Sequence, residues 1–318
     1  MSAPARGAAF AAILIAVFAV ATLAGAEISP SVEEAPEHSE GEGTMQNHAT
    51  ETGNAHSGHD AGAATSSPPG LASAEGGFQL IPERTRFRAS ADAELDFSVV
   101  DAEGETVRNF DIEHTRPMHL IVVRRDFADF QHLHPKQRSD GSWTADADLS
   151  DAGVYRAFAD FAVGGQSLTL ATDLFVAGDF EPAPLPAPAA KAEAGDGYEV
   201  EITSAAPAPG QATAVDFRVS RDGDPLPGVE PYLGADGHLV ALREHDQAFL
   251  HTHPEGEPGG SGPISFMVTY PSPGNYRLFL QFKDGGRVRT AAFTQVVGAG
   301  GADDTTEAQH SEGSHEAG

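Results

Sequence analysis

The 318-residue chain contains no cysteine. It therefore cannot form disulfides, a cysteine-containing zinc site, a blue-copper site or a lipid-modified N-terminal cysteine. Cationic side chains are scarce: 19 Lys and Arg stand against 47 Asp and Glu, a formal charge of −28. A polyanion of this size repels phosphate backbones, which argues against nucleic acid as a partner. The same charge fits cation capture and also plain solubility. Gly-x-Ser-x-Gly, P-loop and dinucleotide signatures are missing; the chain is not expected to be an enzyme, a metal-dependent redox enzyme being the less favoured reading. No convincing amphipathic helix occurs, and one N-terminal run is the sole long hydrophobic stretch.

That run has the grammar of an export signal. Arg6 precedes apolar residues from Ala8 to Leu23, and Ala24-Gly25-Ala26 fits the small-x-small cleavage rule. Residues 1–26 thus read as a signal peptide, and the mature chain would start at Glu27 in the periplasm or outside the cell. Membrane attachment is expected only if the run stays uncleaved, since it is barely long enough to span a bilayer.

Residues 27–76 are rich in Glu, Gly, Ala, Ser and His, with too few large apolar residues to order themselves, and read as a disordered arm. Its Met45, His48, His56 and His59 have the look of a loose metal-scavenging segment. Residues 179–196 form a Pro/Ala linker, and 299–318 a second disordered acidic tail.

Between these segments the chain repeats itself. Gly77-Phe78-Gln79-Leu80 aligns with Gly197-Tyr198-Glu199-Val200, Leu95-Asp96-Phe97 with Val215-Asp216-Phe217, and Gly153-Val154-Tyr155-Arg156 with Gly274-Asn275-Tyr276-Arg277. A period of this length marks a duplicated domain, over 77–178 and 197–298. Short β-rich runs such as LDFSVV, MHLIVVR, VYRAFADFAV and ISFMVTY, separated by turn residues, predict an all-β chain. The expected architecture is two tandem antiparallel β-sandwich domains, immunoglobulin-like or cupredoxin-like. The repeated Tyr-Arg pairs beside a Gly turn are expected to serve strand packing, with a snorkelling Arg. Asp160 and Asp173 are carboxylates that do not recur in the second copy.

The repeat carries one chemical feature. Phe130 to Pro135 reads FQHLHP and Phe249 to Pro254 reads FLHTHP, each preceded by His-Leu at 119–120 and 238–239. His119, His132 and His134 thus match His238, His251 and His253 in spacing. A hairpin turning between Arg125 and Asp126 would set His119 across from His132, with His134 on the same face. Three neutral imidazoles at one point suit Zn(II), Cu(II) or Ni(II). Met118 could add a soft thioether and His114 an outer ligand in the first copy only. The opposing expectation is that these histidines pack as hydrogen-bonded core residues, since Ile121, Val123 and Phe130 share their face.

The stretch HLIVVRRDFADFQHLHP, followed by GSW and GVYRAFADF, resembles bacterial exported β-sandwich proteins of unassigned function, loosely similar to YtkA-like and CopC-like copper-handling sandwiches. The resemblance implies an envelope protein linked to copper or another heavy metal. The expected function is transition-metal binding, of copper or zinc, for storage, delivery or resistance. A metal ion, and another envelope metal-handling protein, are the expected partners. The alternative is an envelope structural or protein-interaction module whose histidines only pack. A His-brace oxygenase would need an N-terminal histidine, which cleavage before Glu27 does not provide.

Overall fold

The structure is a computed structural model that describes residues 68–250 and 252–298. The expected signal peptide (1–26), most of the expected N-terminal arm with its histidines, the expected acidic tail (299–318) and His251 lie outside the described residues.

All regular structure among the described residues is β. The first repeat forms β1 (Ala74–Glu75), β2 (Phe78–Pro82), β3 (Arg86–Arg88), β4 (Ser90–Val100), β5 (His119–Arg124), β6 (Gln131–Leu133), β7 (Lys136–Gln137), β8 (Trp143–Leu149), β9 (Gly153–Val163) and β10 (Gln166–Ala177). The second forms β11 (Lys191–Glu193), β12 (Tyr198–Ile202), β13 (Ala212–Arg221), β14 (Asp224–Pro225), β15 (Gly237–Arg243), β16 (Phe249–Leu250), β17 (Thr252–Glu255), β18 (Ile264–Thr269), β19 (Gly274–Asp284) and β20 (Arg287–Val297).

Each repeat is a two-sheet sandwich. The first stacks β1-β2-β4-β8-β7 on β3-β10-β9-β5-β6, and the second β11-β12-β13-β18-β17 on β16-β15-β19-β20. Pairing is antiparallel except for β3, which lies parallel to β10 through Arg86↔Phe175. The orders β2-β4-β8-β7 and β5-β9-β10 are the two sheets of an immunoglobulin sandwich, and the second repeat preserves both. A tyrosine corner marks each copy. Tyr155 Oη donates to the Asp151 carbonyl at 3.0 Å, and Tyr276 Oη to the Ser272 carbonyl at 2.9 Å. Of the two sandwich types expected, the structure is immunoglobulin-like.

Strand burial falls into two kinds. In β4, β13 and β18 buried and less buried residues alternate, as in a sheet with one solvated face. In β5, β9 and β15 nearly every residue is buried. The reason is a third core between the sandwiches. Leu120 and Val122 face the first sandwich's own core, whereas Ile121 and Val123 join Phe127, Phe158, Val240, Leu242, Phe249 and Phe279. The two β5/β15-containing sheets therefore pack against each other. Equivalent residues meet reciprocally: Phe130 stacks on Phe279 at 4.1 Å, and Phe249 meets Phe158 at 5.5 Å. This is the self-complementary pattern of a two-fold interface, built here inside one chain. Polar contacts cross it as well, since Gln247 Nε2 donates to the Arg124 carbonyl at 3.1 Å and Arg125 Nη1 to the Asp246 carbonyl at 3.3 Å.

Three sequence expectations need correction. The end of the expected disordered arm is ordered: residues 68–72 run between the sandwiches, where Phe249 N donates to Pro69 O and Gly70 N to Thr169 O, both at 2.9 Å. Arg156 does not snorkel. It is buried, and its guanidinium donates to the carbonyls of Gly70 (2.7 Å) and Leu71 (2.8 Å) and to Asp173 (3.0 Å). The linker is shorter than 179–196, because Lys191–Glu193 already pairs with β12.

Candidate metal centre

His119 opens β5 and is 2% exposed. His132 lies in β6, and His134 follows it by two residues on the same face. The hairpin register differs from expectation: Ile121 faces His132, and Leu120 faces Leu133. The turn explains this. Phe127, at φ 66°, donates its N–H to Arg124 O, while Arg124 N donates to Ala128 O. This adds a residue after the turn and moves the pairing by two positions. A two-residue shift keeps every side chain on its face, so the three imidazoles still converge. One ligating atom from each of His119, His132 and His134 lies within 4.8 Å of the others.

The outer ring nitrogens are engaged. His119 Nε2 donates to the Glu113 carbonyl at 3.2 Å. Gln281 Nε2 donates to Thr290 Oγ1 at 3.3 Å, which turns Gln281 Oε1 toward His132 Nδ1 at 2.7 Å. Both acceptors take a ring proton, and each neutral imidazole has one to give. The inner nitrogens, His119 Nδ1 and His132 Nε2, then face each other at 2.9 Å with lone pairs only. His134 Nε2 is also buried and has no hydrogen-bond partner.

Burial keeps these rings neutral. It pushes His132 down to about 3, with the nearby His119 ring adding to the shift. Burial also lowers His119 despite its bond to Glu113, and lowers His134 with help from the Arg116 charge. His238 is driven well below the ordinary range by burial, then by His132.

The second expected trio is not assembled in the same way. His238 sits with the first cluster, its ring centroid 4.4 Å from that of His132 and 5.5 Å from that of His119. β16 ends at Leu250, and the chain crosses to the opposite sheet, so His253 pairs with Met267 on β18 and is exposed. Met118 is 1% exposed within the first sandwich core, on the face of β5 opposite His119, and does not join the cluster.

His114 borders the cluster, 6.1 Å from His119 and 5.9 Å from His238 between ring centroids. It occupies a two-residue hairpin turn with Thr115, closed by Glu113 and Arg116, and both central residues have positive φ, 47° and 67°. Such turns normally take Asn or Gly, and a β-branched residue there is strained. The turn places the Glu113 carbonyl under His119. Sequence reasoning missed Glu113 and Gln281: a carbonyl leaves no residue signal, and Gln281 belongs to the second repeat, its counterpart in the first being Asp160. An open groove lined by Arg116, Tyr232 and Lys283 reaches His132 and His134 from solvent.

None of the curated proteins matches the chain. Among solved structures it is similar to the Yersinia pseudotuberculosis adhesin InvE, at 11% identity and a TM-score of 0.21 over 69% of this chain and 58% of that one. It is similar to the Escherichia coli adhesin FdeC at 15% identity and a TM-score of 0.24, covering 70% and 64% of the two chains. It is also similar to Salmonella alpha-2-macroglobulin at 16% identity and a TM-score of 0.25, over 72% of this chain and 15% of that one. The chain thus spans 58% of the length of the InvE structure it matches. The likeness to copper-handling sandwiches rests on the histidine motif alone. The family is shown by two matches, over residues 74–178 and 192–299, and the chain belongs to the family described as "Domain of unknown function (DUF8832)".

Proposed function

We propose that this chain is an exported two-domain immunoglobulin-like protein that binds one borderline transition-metal ion, copper or zinc, through His119, His132 and His134. The observation that carries this reading is the 2.9 Å approach of the inner ring nitrogens of His119 and His132, whose ring protons are directed outward to the Glu113 carbonyl and to Gln281 Oε1. Two facing lone pairs repel, and a cation between them removes the repulsion. The outer nitrogens are held by a carbonyl and an amide oxygen, the arrangement that fixes tautomer and orientation in histidine metal sites. Imidazoles bound to one tetrahedral ion at about 2.0–2.1 Å have ring centroids about 5 Å apart. The three separations here are 5.2, 5.3 and 4.8 Å. With Met118 in the core, the set is all imidazole, which favours Cu(II) or Zn(II) over Cu(I). The groove to His132 and His134 gives the ion a path, and the acidic chain favours its approach.

Titration calorimetry on the mature chain with Cu(II) and with Zn(II) at neutral pH tests this. One tight equivalent is expected. His132→Ala with His134→Ala should remove it, and His253→Ala should leave it unchanged. No binding, or tight binding indifferent to the His132/His134 pair, overturns the reading.

A second reading has its own support. The cluster sits on the interface between the sandwiches, and imidazole rings touch across it. In an envelope interaction module these rings would complete the contact surface and bind nothing. Failure of both titrations favours that reading.

A further inference from the structure

We infer that His238 of the second sandwich is the fourth ligand of this centre, so that metal binding fastens the two sandwiches together. The inference rests on the metal-binding reading and goes beyond it. The trio lies entirely in the first sandwich; His238 comes from the second, at the position equivalent to His119.

Three observations argue for it, although His238 stands outside the set of ligating atoms that lie within 4.8 Å of one another. Its ring centroid is 4.4 Å from His132 and 5.5 Å from His119, bracketing the separation of about 5 Å expected for co-ligands of one ion. His114 stands outside that range, 5.9 Å from His238 and 6.1 Å from His119. The His238 Nδ1 atom is buried with no hydrogen-bond partner, the condition of a nitrogen that awaits an acceptor of its lone pair. Finally, the second sandwich already shapes the site, because Gln281 on β19 sets the tautomer of His132 through the 2.7 Å contact to Nδ1. A duplicated two-fold interface brings equivalent positions toward its axis, and His119 and His238 meet there nearly parallel, at 13°.

A site of this kind differs from a pair of independent sites in a measurable way. Its stoichiometry is one ion per chain, and its occupancy reports the docked arrangement of the sandwiches. An ion that binds only the docked state stabilises that state by an amount that grows with the logarithm of its concentration over its Kd.

The experiment uses the full mature chain with Zn(II). X-ray absorption counts imidazole ligands, and hydrogen exchange read by mass spectrometry locates the stabilised strands. Four imidazoles are expected, with exchange slowed in β5, β6 and also β15. His238→Ala and the more conservative His238→Gln should each still bind one equivalent, about 100-fold more weakly, with three imidazoles and no slowing of β15. If the unaltered protein binds neither Zn(II) nor Cu(II), the metal-binding reading falls and this inference with it. If it binds one equivalent through three imidazoles, with slowing confined to β5 and β6, the clamp is overturned and the metal-binding reading stands.

Discussion

Acidifying the metal-free protein should destabilise it through the histidine cluster before its carboxylates titrate. Burial, and then the neighbouring His119, hold folded His132 at about 3. In the unfolded chain the same imidazole titrates near about 6.5. Between these values the unfolded state binds a proton that the folded state refuses, so stability rises with pH across the window and is lost as pH falls. From pH 8 to pH 5 the unfolded state gains about a thirtyfold statistical advantage from this one ring, which is about 2 kcal/mol. His119, His134 and His238 are displaced in the same direction, each chiefly by burial, and add to the loss. Asp126 and Asp246 have lowered values, so their contribution is lost only at pH values under the pH 8 to pH 5 range. Urea midpoints measured in a chelating buffer at pH 8, 7, 6 and 5 read the effect. The expected result is a steady fall for the unaltered chain and a fall smaller by about 2 kcal/mol for His132→Asn. Parallel curves for the two proteins, or a gain in stability on acidification, would refute the claim that His132 is held neutral by burial.

Two further perturbations probe how the sandwiches are joined. Phe279→Ala removes a 3% exposed ring that stacks on Phe130 at 4.1 Å; it should cost about 3–5 kcal/mol in chemical denaturation. It should also speed hydrogen exchange in β6 of the other sandwich, an effect that damage confined to one core would not have. Arg156→Met removes the donors to the Gly70 and Leu71 carbonyls and the pair with Asp173. It should cost about 2–3 kcal/mol and open the 68–72 segment to limited proteolysis, which the unaltered protein is expected to resist.

Much of the fold is legible in the sequence, and the exceptions have physical causes. The duplication shows because glycine turns and corner tyrosines recur in register: Gly153 and Gly274 both adopt positive φ, 142° and 134°, just before Tyr155 and Tyr276. The choice between two sandwich types could not be made from strands alone, since both types read as short alternating runs. It is made by the parallel β3–β10 pair and by hydroxyl-to-carbonyl bonds at the corners. The third core was present as a signal. HLIVV and HLVAL are continuous apolar runs, whereas LDFSVV and ISFMVT alternate. Continuous runs in an antiparallel sheet mean that both faces are buried, and here the second face is covered by the other repeat.

A difference in where the chain changes sheets explains why, among the described residues, His238 and His253 do not stay together as His119 and His134 do. Spacing along the chain places His132 and His134 relative to His119 only while β6 remains on the sheet of β5, as it does through Leu133. In the second repeat the departure comes earlier: β16 ends at Leu250, and β17 pairs with the opposite sheet from Thr252 onward. In the first repeat the corresponding strand, β7, pairs with the opposite sheet only from Lys136. His253 is therefore carried away from His238 although the sequence interval between them equals that between His119 and His134. His238 lies on the face that packs against the first sandwich and meets His119 and His132 there. Equal spacing in two copies guarantees equal clusters only if both repeats change sheets at the same residue, and a shift of a few residues in that crossing is enough to part His253 from His238 while His134 stays beside His119.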